Sequence, residues 1–362
     1  MDWKASLVVN GMLVKDMVSQ IGQLKIKGMF RNNYFLVLLI ALSQCTIKAE
    51  EGSGKIEKID GISVEASRQL IDSTDLRPIS DLGAKWVALM PYAFIRKEEG
   101  VVHFNSPRQW VGERVEGIQK DIETCHEQGL KVMLKPHVWV SRGGYTGDYI
   151  PETWDSLEIS YSSYIITFAK LAQKNKVELF CMGTEWRRFV KERPKYWNSL
   201  IDSVRKIYSG KLTYAANWDE YKETPFWNKL DYIGVNAYFP LTEVANPTNE
   251  ALEKAWMPIS NNLEAISYTV GKPVLFTEYG YRSVEGTTIE PWESYTDLQE
   301  SMAEQQNALS SLYASVWNKK WMAGGFLWKW HIQESKWENR NVDYTPQDKP
   351  ALKVIKKWYG ED

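Results

Sequence analysis

Two glutamates stand where buried β-strands are predicted to end. Glu185 closes the apolar run of residues 177–185, and Glu278 closes the run of residues 272–278. A short apolar run that ends on a charged residue is typical of a strand buried on both faces that emerges at the edge of a sheet. A carboxylate is costly to bury there unless it is paired or takes part in a reaction.

A pair of carboxyl groups of this kind can protonate and attack a glycosidic bond. The chain also contains 17 tryptophans, whose flat rings are suited to stacking on sugar faces. Together these features favour the acid pair of a carbohydrate-cleaving enzyme. The alternative is that both glutamates are structural acids, each held in an ion pair at a strand end.

The composition argues against several kinds of partner. The 362 residues include 44 basic and 46 acidic side chains, and no cluster of Lys and Arg is present. Neither nucleic acid nor an anionic membrane surface is therefore expected as the main partner. The cysteines and histidines show no metal-ligand spacing, so we expect no metal and no cofactor. We expect a monomer.

The N-terminal region is predicted to direct export. The apolar run of residues 34–42 is shorter than the about 20 residues of a membrane-spanning helix, and it lies between Arg31 and Cys45 in the order of a secretory signal. Leu-Ser-Gln-Cys at residues 42–45 resembles a lipoprotein box, so we expect a lipid anchor at Cys45 in the cell envelope, with plain signal cleavage and secretion as the alternative. The predicted segments are an upstream extension or misassigned start at residues 1–28, a signal peptide at 29–45 and a polar tether at 46–55.

Residues 56–362 are predicted to form a single (β/α)₈ barrel, because short apolar strands alternate with amphipathic helical stretches. The segments that leave the strands are longer and more aromatic than those that enter them, as in a barrel enzyme whose functional face lies at the C-terminal ends of the strands. A doubly wound open sheet is the alternative, although no Gly-x-Gly-x-x-Gly follows the first strand. Strands are predicted at residues 61–64, 86–90, 132–135, 179–183, 212–215, 232–235, 274–276 and 325–327, and helices at 115–127, 156–173, 196–208, 251–268, 298–317 and 351–358.

The neighbours of the two glutamates in the sequence suggest different roles for them. Glu278 is followed by Tyr279, Tyr281 and Arg282, donors able to keep a carboxylate ionised. Glu185 precedes Trp186 in a more apolar setting, which favours the protonated form.

Three motifs resemble the glycoside hydrolases of clan A and, within that clan, glycoside hydrolase family 113. They are Phe-Cys-Met-Gly-Thr-Glu at residues 180–185, Asp-Tyr-Ile-Gly-Val-Asn-Ala-Tyr at 231–238 and Phe-Thr-Glu-Tyr-Gly at 276–280. The resemblance covers about residues 56–360. It implies a retaining hydrolase of β-1,4-linked mannan, glucomannan or manno-oligosaccharides, either an endo-β-1,4-mannanase or a β-mannosidase, with Glu185 as general acid/base and Glu278 as nucleophile. The alternatives are a retaining hydrolase of another β-glycan (glucan, xylan or galactan) and a non-catalytic glycan-binding lipoprotein.

Residues beside the two acids are predicted to support them or to contact the sugar. Tyr238 is expected to donate to Glu278, with a place in the core as the alternative, and Asn236 to meet a sugar hydroxyl. Many members of the wider clan have Asn immediately before the acid/base, where this chain has Thr184. The resemblance therefore implies a changed partner for the 2-hydroxyl of the sugar.

Aromatic residues at other strand ends are predicted to form the sugar-binding surface. Trp328 is expected to lie under the sugar beside the cleaved bond, and alternation about Lys329 places Trp330 on the same face. Trp86 lies inside a predicted strand and is expected in the core. Four further candidates for substrate contacts follow the third and fifth strands, with core packing as the alternative for the first two: His137, Trp139, Asn217 and Trp218.

Overall fold

The computed structural model describes most of the chain after residue 57. The described residues are 8–9, 12–13, 58–96, 99–141, 144–293, 298–332 and 340–360. Two short strands, Val8–Val9 and Met12–Leu13, pair antiparallel and form a unit of their own. The predicted signal peptide, the tether and Cys45 lie outside the described residues.

Eight parallel strands close into a barrel, in the order β5-β6-β7-β8-β1-β2-β3-β4. The closed ring confirms the predicted (β/α)₈ barrel and excludes the open sheet, and each observed strand overlaps a predicted one. The strands are β1 Ile59–Val64, β2 Trp86–Leu89, β3 Lys131–Leu134, β4 Leu179–Thr184, β5 Lys211–Asn217, β6 Ile233–Asn236, β7 Val274–Tyr279 and β8 Met322–Trp330.

Helices surround the barrel, and one of them matches its predicted bounds residue for residue. The α-helices are α1 Ser73–Asp81, α2 Val115–Glu127, α3 Trp154–Lys174, α4 Arg187–Glu192, α5 Pro194–Arg205, α6 Asn249–Val270, α7 Met302–Leu312 and α8 Ala351–Gly360. A π-helical turn, Tyr313–Trp317, continues α7, and short 3₁₀ helices cover Val111–Glu113, Thr146–Asp148, Trp227–Lys229 and Arg340–Val342. Within the described ranges, no helix is both long and apolar enough to span a membrane.

The strands are apolar on both faces because each face meets its own layer of core. Ile59, Trp86 and Phe326 belong to a cluster of inward-facing side chains that fills the barrel. The alternate residues of the strands, such as Val87 and Ile62, pack with the surrounding helices in a second and larger cluster. Trp86 is therefore a core residue, as predicted. Since both faces are buried, polar side chains can reach solvent only where a strand ends.

A small three-stranded sheet that the sequence pattern did not reveal rises beside the barrel mouth. Its strands are Tyr92–Ile95, Val102–His103 and His137–Val140. The first and third follow β2 and β3 after two-residue breaks that contain Pro91 and Pro136. A proline cannot donate to a strand ladder, so each one interrupts a run that otherwise continues. We call this the side sheet.

Candidate active site

Glu185 and Glu278 lie at the C-terminal mouth of the barrel, as predicted. Glu185 directly follows β4, and Glu278 is the penultimate residue of β7. Asn236 connects the two: it pairs with Glu278 in the register of β6 and β7, and its Nδ2 donates to Glu185 Oε1 at 2.9 Å. The barrel thus brings together two acids from distant parts of the chain.

Glu278 is a buried carboxylate with a partner on each oxygen. The residue is 5% exposed. The Lys135 ammonium forms an ion pair with Oε1, and the Tyr238 hydroxyl donates to Oε2 at 3.0 Å, the contact expected for Tyr238. A buried charge is stable only when it is paired and hydrogen-bonded in this way.

The three donors that follow Glu278 in the sequence do not bond to its carboxylate in the structure, contrary to expectation. The Tyr279 hydroxyl bonds to the hydroxyls of Tyr313 and Tyr359, at 2.8 and 2.6 Å. The hydroxyl of Tyr281 is buried and has no partner among the described residues, and Arg282 Nε donates to the carbonyl of Val342 at 2.8 Å. Tyr279 packs in the outer core, so its side chain points away from the mouth.

Lys135 is the functional residue that sequence reasoning missed. It follows β3 directly, its side chain is fully buried, and its amide continues the strand ladder by donating to the Leu89 carbonyl at 2.9 Å. The signal was present, because residues 132–135 form another apolar run that ends on a charge. Applied to lysines as well as glutamates, the rule that exposed the two acids also finds their cation.

Glu185 has the environment of a proton donor. Burial, then the nearby charge of Glu278, raise the pKa of Glu185 to about 7, while the hydrogen bond from Asn236 opposes the shift. At neutral pH the carboxyl group therefore keeps its proton far more readily than an ordinary glutamate does. A group poised near the working pH can both give and take a proton.

The backbone of Glu185 is strained and is held from both sides. Its φ of 54° lies in the left-handed region, which costs a non-glycine residue on the order of 1–3 kcal/mol. The Glu185 amide donates to the Ala215 carbonyl at 2.8 Å. The next amide, that of Trp186, donates to the Tyr214 hydroxyl at 2.7 Å. These two bonds to β5 fix the turn that aims the carboxyl group.

A third acid, Glu220, lies behind this turn. It is 4% exposed, and its Oε1 accepts from the Tyr214 hydroxyl at 3.0 Å. Burial, then the charge of Glu185, raise the pKa of Glu220 to about 8. A hydrogen-bonded chain therefore runs from Glu220 through Tyr214 to the Trp186 amide. This role could not be predicted, since Glu220 belongs to a polar segment that has the composition of an ordinary loop.

Asn236 makes its hydrogen bonds within the protein, whereas the Thr184 hydroxyl has no partner among the described residues. Asn236 is buried, its Oδ1 accepts from Thr277, and one of its amide hydrogens goes to Glu185. These bonds make it a support of the acid, whereas a contact with a sugar hydroxyl was expected. Thr184 is 2% exposed, and its hydroxyl oxygen has no partner within the described residues.

The two tryptophans at the end of β8 occupy different places. Trp328 is half-buried and joined to Lys329 by a cis peptide bond, and the Lys329 ammonium lies 5.8 Å from its ring centroid. Lys329 also pairs with Glu65 at 3.1 Å. Trp330 is 4% exposed and packs in the outer core, so its predicted role as a sugar contact is wrong.

A local irregularity in β8 explains why Trp330 lies on the opposite face of the strand from the one predicted. Leu327 pairs with Ile62 of β1 and Trp330 pairs with Val64, so β8 advances by three residues over a stretch in which β1 advances by two. Such a bulge inserts one residue and breaks the simple alternation of faces. The prediction assumed regular alternation through Lys329.

The remaining predicted site residues lie around the rim of the mouth. His137 and Trp139 belong to the side sheet; their rings stack with centroids 5.9 Å apart, and burial lowers the pKa of His137 well below its usual value. Asn217 Nδ2 donates to the Tyr145 hydroxyl at 3.1 Å. Trp218 is half-buried and stacks on Trp292, with centroids 5.2 Å apart.

Comparison with known proteins places this geometry among carbohydrate-active enzymes. The family model of Glycoside Hydrolase Family 113 matches residues 68–349. The GH113 β-mannanase AaManA from Alicyclobacillus acidocaldarius, solved in complex with ManMIm, is 22% identical; the alignment covers 84% of this chain and 98% of that one, with a TM-score of 0.74. A GH113 β-1,4-mannanase is 25% identical over 84% of this chain and all of that one, with a TM-score of 0.71.

A curated relative carries a different activity in its name. A β-glucuronidase of Paenibacillus borealis is 22% identical over 222 residues, which are 59% of this chain and 36% of the relative. The chain thus spans little more than a third of the length of that protein.

Proposed function

The chain belongs to glycoside hydrolase family 113, and on that premise we propose that it is a retaining hydrolase of β-1,4-linked mannan, glucomannan or manno-oligosaccharides. One observation carries the proposal: the two acids at the mouth have opposite environments. Glu278 is paired with Lys135 and Tyr238, whereas Glu185 is desolvated and has a pKa of about 7. Two carboxyl groups whose surroundings separate their protonation states divide the labour of acid and nucleophile.

In the first step, Glu278 attacks the anomeric carbon and Glu185 protonates the departing glycosidic oxygen. Lys135 and Tyr238 each bind one carboxylate oxygen of Glu278 and fix the orientation of the group. Each carboxylate oxygen has further lone pairs beyond those used in these bonds, so the nucleophile remains able to react. The products are a glycosyl ester on Glu278 and a free leaving alcohol.

In the second step, Glu185 acts as a base and removes a proton from the water that attacks the anomeric carbon, and the ester bond breaks to release the sugar and the Glu278 carboxylate. Part of the upward shift of its pKa comes from the charge of Glu278, although burial is the larger cause. The ester has no charge, so this contribution disappears in the intermediate. The pKa of Glu185 then falls, so the group loses its proton more readily and is available as the base of the second step.

Thr184 is the residue that we assign to the sugar 2-hydroxyl. Its buried hydroxyl has no partner among the described residues and immediately precedes Glu185. An unpaired buried hydroxyl costs about 1–3 kcal/mol, which a substrate hydroxyl can recover. A mannosyl unit carries its 2-hydroxyl axially, and this supports a partner other than the amide that many clan members use.

Two other readings are less well supported. A non-catalytic glycan-binding protein needs neither a buried, paired Glu278 nor a Glu185 held in strained backbone. Recognition of a uronic acid, the sugar class in the name of the curated relative, needs a cation; Lys329 beside Trp328 is already paired with Glu65.

The test is a product profile on mannohexaose, run beside cello- and xylo-oligosaccharides of equal length. We expect cleavage of the mannan series with the β-anomer formed first in a proton NMR time course. Internal cuts indicate an endo-mannanase, and release of single sugars indicates a mannosidase. Faster cleavage of cello- or xylo-oligosaccharides would reject the substrate, and an α-anomer formed first would reject retention.

We also propose that the enzyme is exported, with a lipid anchor at Cys45, and acts as a monomer. The order of Arg31, the apolar run of residues 34–42 and Cys45 supports export. Polymeric mannan cannot cross a membrane, so an enzyme that degrades it must work outside the cytoplasm.

A further inference from the structure

We propose that the outward face of the side sheet is a second glycan-binding surface, which extends the substrate cleft and selects for longer β-linked oligosaccharides. This inference rests on the proposed function and adds the place where the chain of sugars continues. We call the surface the aromatic strip; it consists of Tyr92, Phe94, His137 and Trp139.

Strand register puts these four rings on one face. Tyr92 pairs with His137, and Phe94 pairs with Trp139, in parallel strands. Paired residues of a ladder point to the same side, and so do residues two apart in one strand. Three of the rings contact one another, with centroids of Tyr92 and His137 5.5 Å apart and those of Tyr92 and Trp139 6.2 Å apart.

The two faces of the side sheet differ sharply in exposure. The residues between the rings are fully or nearly fully buried: Ala93, Ile95, Val138 and Val140. On the strip, Trp139 is 53% exposed and Phe94 is 37% exposed, whereas Tyr92 and His137, at the inner end, are buried and half-buried. A sheet that buries one face keeps large apolar rings on the other only at a cost in hydration, so exposed rings in a contiguous patch mark a binding site.

The strip is continuous with the catalytic carboxylates. Lys135, the ion-pair partner of Glu278, lies two residues before His137. Burial and the charge of Glu278 raise the pKa of Tyr92, so this ring lies within electrostatic reach of the nucleophile. Tyr92 and Phe94, two residues apart on the Tyr92–Ile95 strand, carry the surface about 7 Å outward from the mouth, beyond the sugar at the catalytic acids.

The chemistry of the strip suits a neutral sugar chain. Flat rings offer apolar faces to the C–H groups of pyranoses, while the single N–H donor of Trp139 is already bonded to Tyr92. At the outer end, His103 pairs with Phe94 in the ladder and bonds to Glu99 at 2.7 Å, which adds polar groups for hydroxyls. Continuity with the cleft favours a glycan over a protein partner.

The test compares a long with a short substrate in Trp139→Ala and Phe94→Ala. We expect kcat/KM on mannohexaose, relative to kcat/KM on an aryl β-mannobioside, to fall about tenfold in Trp139→Ala and less in Phe94→Ala, mainly through KM. The matched control is Tyr268→Ala, which removes a 90% exposed ring from the last turn of α6, near the opposite end of the barrel; its ratio should equal that of the wild type. A wild-type ratio in Trp139→Ala, or an equal loss on both substrates, would overturn the proposal.

Binding without turnover separates this inference from the proposed function. Electrophoresis through gels that contain glucomannan, mixed-linkage glucan or xylan measures retardation by each polymer. Retardation that Trp139→Ala reduces supports the strip, even if the retarding polymer is not a mannan, in which case the substrate assignment fails alone. Retardation that Trp139→Ala leaves unchanged, or its absence in every gel, overturns the strip. A dimer that dissociates in Trp139→Ala during size-exclusion chromatography would show that a second copy is the occupant.

Discussion

Replacing Tyr214 with Phe tests whether the turn that carries Glu185 is held from behind. The substitution removes a single oxygen atom from a fully buried ring. That oxygen accepts from the Trp186 amide at 2.7 Å and donates to Glu220 at 3.0 Å. Its loss leaves the buried amide hydrogen of Trp186 without a partner and removes a hydrogen bond that holds the residue after Glu185 in place.

The expected size of the effect follows from these contacts. An unsatisfied buried amide costs about 1–3 kcal/mol, so the free energy of unfolding should fall by about 2 kcal/mol. The left-handed backbone of Glu185 carries strain on the order of 1–3 kcal/mol and persists only while its surroundings enforce it. If the hydrogen bond to the Tyr214 hydroxyl offsets about 1.4 kcal/mol of this strain, its removal lowers the rate of the step that needs Glu185 about tenfold.

The assay compares two leaving groups. A dinitrophenyl mannoside needs little protonation by Glu185, whereas mannohexaose needs it fully. Tyr214→Phe should therefore lose about tenfold in kcat/KM, which reports formation of the glycosyl ester, on mannohexaose and much less on the dinitrophenyl substrate. An equal loss on both substrates would show that the hydroxyl does not act through the acid.

Tyr208→Phe provides the matched control. Tyr208 is also buried, and its hydroxyl donates to the Val177 carbonyl at 2.7 Å, at the end of the barrel opposite to the mouth. We expect a loss of about 1 kcal/mol in the free energy of unfolding and an unchanged kcat/KM. A loss of activity equal to that of Tyr214→Phe would show that the Tyr214 hydroxyl does not act by holding the turn that carries Glu185.

Three further expectations follow from the structure. Trp328→Ala should lower kcat/KM about 100-fold with little change in melting temperature, whereas Trp330→Ala should lose about 3–5 kcal/mol of stability as a buried ring; the reverse pattern would show that the two tryptophans are misassigned. Folding raises the pKa of Glu220 from 4.5 to about 8, so this acid destabilises the fold increasingly as the pH rises through that range. The gain in melting temperature of Glu220→Gln over the wild type should therefore be larger at pH 8 than at pH 5. An equal gain at both pH values would contradict the burial argument. The mature protein should begin at or just after Cys45 when its intact mass and N-terminal sequence are measured, and a soluble cytoplasmic form beginning at Met1 would reject the predicted leader.

The barrel and its acid pair could be predicted because one physical rule governs both. A strand buried on two faces must be apolar throughout, so a charge marks the place where it emerges, and parallel strands emerge on the same side. Glu185 and Glu278 are visible in the sequence for this reason. The same rule explains why all eight strands could be located without knowledge of their partners.

Tyr238 was predicted as a partner of Glu278, but two other charged neighbours of the acids could not be predicted because they come from other parts of the chain. Lys135 and Glu220 are far from Glu278 and Glu185 in sequence and meet them only after the barrel closes. Reasoning from neighbours chose Tyr279, whose side chain packs in the outer core and points away from the mouth. The misplacement of Trp330 has a similar origin, since a bulge in β8 is set by its pairing with β1 and leaves no trace in composition.

The most direct test of the account is azide rescue in the two acid variants. Glu185→Ala should still form the glycosyl ester from a dinitrophenyl β-mannoside but release it slowly, and added azide should restore turnover with a β-mannosyl azide as product. Glu278→Ala should form no ester and should not yield that β-azide. An α-azide from Glu185→Ala would indicate inversion, rescue confined to Glu278→Ala would reverse the two roles, and wild-type activity in either variant would return the pair to structural acids.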